Sequence, residues 1–443
     1  MRETRCIIMG AAGRDFHDFL TWFRARPDLR VVAFTAEQIP FIDRRTFPAE
    51  LAGPRYPDGI PIVPESELEA LVSRHKVELV FLAYSDLAYA DVMHKVARVQ
   101  AAGASFAMLG PGQTMLPSAL PVIAVTAART GCGKSPLCLA IARHLGASGL
   151  RVGVLRHPMP YGDLAAQAVQ RFATVDDLER HACTVEEREE YMPYVERGMT
   201  IFAGVDYARI LELAEMESDV ILWDGGNNDT PFVRPALWIC VIDALRPGHE
   251  VAYYPGETNL RSAHVVVINK VDRADPIALA AMRERVRALV PKAAVVESDL
   301  AFELPADAPP MRGRRVLAVD DGPTLTHGGM PWGAAYLAAE AAHAELVDPR
   351  PFAVGSVAEA YRRYPHMGRA LPALGYSAEQ RAELAATIHA AAPDLVIDAS
   401  PARIGRVLGL ERPVVEVGYR FVQRSGPDLL ARAESVARGA SSS

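Results

Sequence analysis

Residues 128–135 have the types and the spacing of a phosphate-binding loop. They read Ala-Arg-Thr-Gly-Cys-Gly-Lys-Ser and follow an apolar stretch, residues 121–125, that predicts a strand. A helix is predicted to begin where the loop ends, over residues 136–145. Backbone N–H groups of such a loop bind the β- and γ-phosphates of a nucleotide. We expect the nucleotide to be bound by Thr130, Gly131, Cys132, Gly133, Lys134 and Ser135.

Two residues of this loop have specific expected roles, and one departs from the common pattern. Lys134 is placed to reach the β/γ-phosphate oxygens, and the Ser135 hydroxyl is placed to bind Mg²⁺. Ala128 stands where most phosphate-binding loops have glycine. Alanine is small enough for a tight loop, so a nucleotide site is favoured over an ordinary strand-to-helix turn.

Acidic residues follow two other predicted strands and are candidate Mg²⁺ ligands. Asp224 ends the apolar segment at residues 219–224, and Asp229 follows it after two glycines and two asparagines. An acid at the carboxyl end of a strand beside a phosphate loop can hold Mg²⁺, so Asp224 is the first choice and Asp229 the second. Asp163, after the predicted strand at residues 151–155, is a further candidate. A polar strand end without metal is the alternative for Asp224.

A possible base-recognition motif lies after a further apolar strand, residues 264–268. Residues 269–272 read Asn-Lys-Val-Asp and resemble the N-K-x-D motif of the P-loop GTPases, in which the aspartate binds guanine. We therefore expect Asn269, Lys270 and Asp272 to bind the nucleotide. Related ATP-using proteins keep similar segments, so the choice between ATP and GTP stays open.

Arg129 resembles the extra cation of one large class of P-loop proteins. That class includes nitrogenase iron protein, signal-recognition GTPases and biotin-pathway synthetases. The resemblance implies that Arg129 reaches a nucleotide phosphate across a homodimer interface, where arginine would act as a bidentate clamp. A local ion pair or a substrate contact is an equal alternative.

Basic residues near predicted strand ends favour a second, anionic ligand. Arg156 and His157 follow the strand at residues 151–155, and in a parallel sheet their loop opens on the edge that carries the phosphate loop. His327 lies between Thr326 and two glycines and could donate a hydrogen bond or a proton; a simple turn is its alternative. The remaining candidates are Arg14, Arg234, Arg246, Arg261 and Lys270.

Strands and helices alternate along the chain, which predicts an α/β fold with mostly parallel sheets. We expect an N-terminal Rossmann-like domain over residues 1–118, a P-loop nucleotide-binding domain over residues 119–310, and a C-terminal α/β region over residues 311–443 that packs on the P-loop domain. A long helix is predicted over residues 332–346. The acidic segment at residues 186–191 is predicted to be a solvated helix face.

Composition narrows the functional classes. The formal net charge of −7 argues against a nucleic-acid partner. The five cysteines form no C-x-x-C pair, which is typical of reduced thiols in the cytoplasm. The first ten residues lead directly into a predicted strand, so we expect no signal peptide, and no apolar stretch reaches membrane-spanning length. We expect a cytoplasmic protein without a membrane partner.

In combination, the segments resemble the cyclic 2,3-diphosphoglycerate synthetase family. The resemblance rests on residues 10–15, 130–135, 156–163, 186–191, 224–229 and 321–330. It implies an enzyme that uses ATP and Mg²⁺ to close a phosphoanhydride within 2,3-bisphosphoglycerate, releasing ADP and phosphate. Under this hypothesis one substrate phosphate attacks the γ-phosphate, and the other then displaces the transferred group. The catalytic residues would be Lys134, Arg129, Arg156, His157 and His327.

Three other functions remain open. A regulatory or chaperone-type GTPase is favoured by residues 269–272. An ATP-dependent ligase could act on another anionic small molecule that the N-terminal domain selects. A non-enzymatic nucleotide sensor is the third alternative. The expected partners are a small phosphorylated substrate and a second copy of the chain.

Overall fold

The protein is described by a computed structural model that covers residues 3–11, 13–37, 45–157, 162–226, 229–326, 328–374, 377–400 and 403–439. Three mostly parallel sheets follow one another along the chain, with helices between their strands. The predicted α/β class with mostly parallel sheets is confirmed. No helix in the ranges given above is both long and apolar enough to cross a membrane.

The N-terminal sheet has the strand order β3-β4-β2-β1-β5-β7, and only β3 is antiparallel to its neighbour. The order reverses beside β1, as in a doubly wound sheet, so the loop after β1 opens at a switch point where ligands commonly bind. The strands are β1 (Thr4–Met9), β2 (Leu29–Ala36), β3 (Arg45–Phe47), β4 (Ile60–Pro64), β5 (Leu79–Leu82), β6 (Leu87–Ala88) and β7 (Ser105–Met108). The helices are α1 (Arg14–Asp18), α2 (Ala49–Ala52), α3 (Leu68–His75), α4 (Tyr89–Ala101) and α5 (Pro111–Thr114).

The central sheet has the order β10-β11-β9-β12-β8-β13-β15-β16-β22, with β10 and β22 antiparallel at its two edges. Its strands are β8 (Val122–Ala127), β9 (Val152–Arg156), β10 (Gln170–Phe172), β11 (Thr200–Ala203), β12 (Val220–Asp224), β13 (Leu237–Asp243), β15 (Val265–Asn269), β16 (Ala294–Glu303) and β22 (Gly418–Ser425); β14 (Tyr253–Tyr254) pairs with β6 instead. The helices are α6 (Lys134–Ala147), α7 (Val175–Arg180), α8 (Val185–Val195), α9 (Tyr207–Glu217), α10 (Gly256–Ser262) and α11 (Pro276–Leu289).

The C-terminal region forms a smaller parallel sheet and then returns to the central one. Its own strands are β17 (Arg315–Asp321), β18 (Glu345–Leu346), β19 (Leu371–Ala373), β20 (Leu395–Asp398) and β21 (Val414–Glu416). The helices are α12 (Gly322–Leu325), α13 (Ala334–Ala341), α14 (Gly355–Arg363), α15 (Ala378–Ala391), α16 (Ile404–Val407) and α17 (Leu429–Ala437). β22 then extends the central sheet, and α17 packs into the core beneath α6. The domain boundaries at residues 118 and 310 stay predictions.

Burial of apolar side chains explains why the central strands form. All six residues of β8 are buried, as expected for a strand that has neighbours on both sides and helices on both faces. α6 buries Leu137, Ile141 and Leu145, which lie four residues apart on one helix face. The predicted strand before the loop and the predicted helix after it are both confirmed.

Two local predictions were wrong. The helix expected over residues 332–346 is shorter, α13, because His343 adopts a left-handed conformation and β18 then pairs with β17. The acidic segment at residues 186–191 lies in α8, but its described side chains do not form a solvated face. Tyr191 is buried in the central core, and Glu187 is buried where it caps the helix through Thr184.

Candidate nucleotide and acceptor site

The phosphate-binding loop lies between β8 and α6 with the backbone that phosphate binding requires. Gly131 and Gly133 have φ values of +79° and +100°, which side chains with a Cβ atom rarely adopt. A Cβ on Gly133 would overlap the amide of Asn269. α6 begins at Lys134, so its first N–H groups and its partial positive charge lie beside the loop. The geometry suits the phosphates of a nucleotide.

Three side chains fix the orientation of the loop peptides. Arg246 donates to the Thr130 carbonyl at 2.8 Å, Lys270 to the Gly131 carbonyl at 2.7 Å, and Asn269 to the Cys132 carbonyl at 2.8 Å. Because three consecutive carbonyls accept these hydrogen bonds, the loop is held in place before a nucleotide arrives. Arg246 and Lys270, which the sequence suggested for an anionic substrate, are therefore occupied in supporting the loop.

Sequence reasoning missed Asp243, which holds these two cations. It ends β13, is buried, and lies 2.9 Å from Arg246 and 2.7 Å from Lys270. Burial raises the pKa of this carboxyl, but Lys270 and Arg246 outweigh burial and hold the pKa below its ordinary value. An acid at the end of an apolar strand was the available signal, the same one that singled out Asp224.

Asp272, predicted to bind the base, lies apart from the loop contacts. It is exposed, and its backbone N–H donates to Asp299 at 2.8 Å. Partial burial and the Asp299 carboxylate raise its pKa. Base recognition by Asp272 stays a prediction.

Asp224 is the centre of a buried ionic cluster. Its carboxylate accepts hydrogen bonds from Lys134, from Arg156 and, at 2.7 Å, from the Tyr194 hydroxyl. Burial raises its pKa, but Arg156 and Lys134 outweigh burial, so the pKa lies below the ordinary value and the group is ionised. The cluster joins the end of β12 to the first residue of α6.

The residues predicted to hold Mg²⁺ do not all lie together. Ser135 is exposed at the start of α6, and Asp224 contacts the neighbouring Lys134. Mg²⁺ binding by these two residues stays a prediction. Asp163 is exposed, and its side chain accepts from the N–H groups of Ala165 and Ala166 at 2.8 and 3.1 Å. It closes a turn and does not join the site. Within the described ranges no three metal-binding side chains cluster.

Arg156 is buried beside the loop and has two carboxylate partners. It contacts Asp224 and also Glu190 from α8. Burial works against its charge, but these two carboxylates hold the pKa of the guanidinium well above its ordinary value. Glu190 belongs to the acidic segment that the sequence predicted to be solvated. Its carboxylate is instead paired with the buried Arg156.

His157 lies between the N-terminal and central sheets. A Cβ on Gly13 would overlap the His157 ring, and a Cβ on Gly226 would approach the His157 Cβ within 2.9 Å, so glycine fits on both sides. Its Nδ1 lies 2.9 Å from Asp229, and Asp229 lies 3.6 Å from Nε of Arg14. The structure thus brings Arg14, His157 and Asp229 together.

Arg129 forms a local contact, one of the alternatives left open by the sequence. Its Nε lies 2.9 Å from Asp86 in the N-terminal region, and its guanidinium carbon lies 3.7 Å from the centroid of the Tyr253 ring. Asp86 also accepts from the Thr130 hydroxyl at 2.8 Å. Asp86, which sequence reasoning missed, links the N-terminal region to the loop.

The C-terminal region covers the loop from another side. Arg246 donates to the Gly328 carbonyl, and Thr324 lies in van der Waals range of the space beside Gly131. His327 is outside the described residues. Two other predicted substrate residues lie elsewhere: Arg234 is exposed, and Arg261 pairs with Glu257 at 2.6 Å on the surface of α10.

Comparison with known proteins shows strong similarity to one relative. No protein-family model matches the chain. Arginine synthetase ArcE from Thermococcus kodakarensis is 52% identical over 430 residues, which cover 97% of this chain and 96% of the relative. A tetraacyldisaccharide 4'-kinase from an Anaeromyxobacter species is 30% identical over 222 residues, covering 45% of this chain and 57% of the kinase.

Among solved structures, LpxK from Aquifex aeolicus in complex with ATP has a TM-score of 0.43 and 11% identity, covering 74% of this chain and 90% of that one. The names of the two relatives, a synthetase and a kinase, agree with the prediction of an ATP-using enzyme. Cyclic 2,3-diphosphoglycerate synthetase is not among these names. Because the alignment with the first relative spans nearly the whole of both chains, this chain belongs to the family of arginine synthetase ArcE.

Proposed function

We propose that the protein is an ATP-dependent ligase that completes the guanidino group of arginine from a ureido amino acid and ammonia. The proposal is carried by the 52% identity, over 97% of the chain, to a protein named arginine synthetase. It is the ligase alternative of the sequence analysis, with a zwitterionic acceptor in place of an anionic one. The phosphate-binding loop provides the site for ATP.

The proposed reaction has two steps. The ureido oxygen attacks the γ-phosphorus of ATP, an O–P bond forms, and the bond to ADP breaks. The ammonia lone pair then forms a C–N bond, while the C–O bond breaks and phosphate leaves with the electron pair. One proton of ammonia goes to the phosphate. The oxygen of a urea is a poor leaving group, and phosphorylation makes it a good one.

Residues of the loop would stabilise the first step. Lys134 is placed to exchange Asp224 for the γ-phosphate and to neutralise charge in the transition state. Ser135 and Asp224 would hold Mg²⁺, which neutralises charge on the β- and γ-phosphates when it is bound. Arg156, fixed by Asp224 and Glu190, would hold the acceptor oxygen near the phosphate, a positioning effect.

The charge balance of the site favours a zwitterionic acceptor over a bisphosphate. The cations expected to clamp phosphates already have carboxylate partners within the chain. The pairs are Arg156 with Asp224 and Glu190, and Arg246 and Lys270 with Asp243. A bisphosphoglycerate would have to displace several buried carboxylates, each of which would lose its partner.

Cyclic 2,3-diphosphoglycerate synthesis is the second candidate. It is favoured by the resemblance of six segments of the sequence to that family, among them residues 156–163 and 321–330. In this alternative Arg156, His157 and His327 would hold the substrate phosphates, and Arg129 would act across a homodimer after leaving Asp86. Both candidates share ATP and the role of Lys134.

Product analysis separates the two candidates. The purified chain would be incubated with Mg²⁺, with ATP or GTP, and with either a ureido amino acid plus ammonium or 2,3-bisphosphoglycerate. We expect ADP and arginine from the first mixture and no cyclic product by ³¹P NMR from the second. A cyclic phosphoanhydride without arginine would reject the ligase proposal, and turnover of GTP with neither acceptor would favour the GTPase. Lys134→Met is the inactive control.

A further inference from the structure

We infer that Arg14, Asp18 and Asp229 bind the α-carboxylate and the α-ammonium of the amino acid acceptor, an inference that rests on the proposed function. We call these three residues the interdomain charge cluster. Arg14 and Asp18 lie on α1 of the N-terminal region, and Asp229 follows β12 of the central sheet. Relative exposures are 7%, 4% and 2%, so the cluster is enclosed between the two sheets.

The polar atoms of the cluster are incompletely hydrogen-bonded. Within the described residues, Arg14 Nε, both carboxylate oxygens of Asp229 and Nδ1 of the adjoining His157 lack a partner with hydrogen-bond geometry. They approach one another only as ion pairs, at 2.9 and 3.6 Å. The other two Arg14 nitrogens donate to Asp18 and to the Thr230 carbonyl. Buried polar groups normally have hydrogen-bond partners. These orphaned atoms therefore indicate a position that a polar ligand fills.

The cluster has an oppositely charged partner for each end of a zwitterion. The carboxylates of Asp18 and Asp229 are suitable partners for an ammonium group. Burial raises the pKa of Asp18 to about 7, Arg14 opposes this rise, and the carboxylates of Asp15 and Asp229 add to it. Arg14 is a suitable partner for the carboxylate of the ligand. Phe232 stacks on His17 at 4.1 Å and lies 4.7 Å from the Arg14 guanidinium, which fixes that side chain.

The cluster is connected to the phosphate loop by direct contacts. Asp229 contacts His157, the neighbouring Arg156 contacts Asp224, and Asp224 contacts Lys134. An amino acid held at the cluster by its α-groups could therefore extend its side chain past His157 toward the loop. The reacting ureido end would then lie next to Arg156. A substrate without an α-ammonium group would gain nothing from Asp18 and Asp229.

The first test uses the unaltered protein. Calorimetric titration, with ADP and Mg²⁺ present and phosphate omitted to prevent the reverse reaction, would compare arginine with agmatine, which lacks the carboxylate, and with Nα-acetylarginine, which lacks the ammonium. We expect each analogue to bind at least tenfold more weakly than arginine. Binding of both analogues within threefold of arginine, or no binding of arginine itself, would overturn the inference.

Variants then assign the two halves of the ligand. Asp229→Asn should weaken the binding of arginine at least tenfold without changing the affinity for Nα-acetylarginine. Arg14→Met should weaken the binding of arginine without changing the affinity for agmatine. Asp219→Asn and Arg261→Met, at exposed ion pairs, are matched controls. Equal losses of affinity for arginine and for its analogues would show that the cluster has only a structural role, and would overturn the inference. If arginine is formed from ATP but these preferences are absent, the inference fails while the proposed function stands; if no arginine is formed, the proposed function fails separately.

Discussion

Replacing Asp224 by asparagine tests the buried ionic cluster at the phosphate loop. Asp224→Asn keeps the shape of the side chain but removes the charge that faces Lys134 and Arg156, whose side chains are 12% and 3% exposed. Removing one partner from a buried ion pair destabilises a protein by about 3–5 kcal/mol. Arg156 keeps Glu190, and Lys134 can turn to water, so we expect about 3 kcal/mol, more than about a hundredfold in the folding equilibrium.

A control is available at the other end of the same strand. Asp219 lies just before β12 and pairs with Arg151 at 2.6 Å, but both side chains are substantially exposed. Exposed ion pairs contribute little to the free energy of unfolding, so Asp219→Asn should change stability only slightly. Urea unfolding, followed by the fluorescence of tryptophans that include the buried Trp223, measures both variants. Equal destabilisation by the two substitutions would refute the reasoning.

The pH dependence gives a second readout. Because the folded pKa of Asp224 lies below its unfolded value near 3.8, its contribution is present above the unfolded pKa and is lost as the pH falls through the folded one. The stability difference between the natural chain and Asp224→Asn should therefore be constant near neutral pH and shrink in acid below about pH 4. A difference that grew in acid would contradict the ionised state of Asp224.

Other predictions concern the loop and the interdomain charge cluster. Gly133→Ala should weaken binding of a fluorescent ATP analogue at least tenfold, because its Cβ would overlap Asn269, whereas Gly149→Ala, also at positive φ but in open space, should leave nucleotide affinity unchanged; equal affinities would contradict this. The folded pKa of Asp18 is raised to about 7 from 3.8, so stability should fall by up to about 4 kcal/mol as the pH rises between these values. Asp18→Asn should flatten that slope in urea unfolding, and an unchanged slope would exclude Asp18 as its source. Asp243→Asn should weaken binding of the ATP analogue, because Asp243 holds Arg246 and Lys270, which fix the loop. Unaltered affinity would show that these ion pairs are not needed to position the loop.

Local patterns predicted the loop and its flanking elements correctly. The strand, the small-residue turn and the helix after Lys134 are contiguous in sequence, so their geometry follows from local rules. Asp224 was likewise identified because acids at the carboxyl ends of parallel strands meet at one sheet edge. These inferences required no knowledge of how distant segments pack.

Long-range pairing explains what the sequence did not reveal. Arg246, Lys270 and Arg156 are cations at strand ends, but their partners come from elsewhere in the chain, so sequence alone suggested a substrate role. Asp86 pairs with Arg129 of the loop although it precedes Arg129 by 43 residues in the sequence. The acidic segment in α8 was predicted to be solvated from its run of charges. That run gives no sign that Glu190 pairs with the buried Arg156, which comes from β9.

The origin of the phosphate oxygen tests the central claim most directly. A ureido amino acid labelled with ¹⁸O at the ureido oxygen would be incubated with the chain, ATP, Mg²⁺ and ammonium, and the phosphorus products would be examined by ³¹P NMR. Phosphoryl transfer to that oxygen predicts one labelled inorganic phosphate for each arginine and each ADP. Unlabelled phosphate, label in AMP, or ADP release without arginine would contradict the proposed ligase.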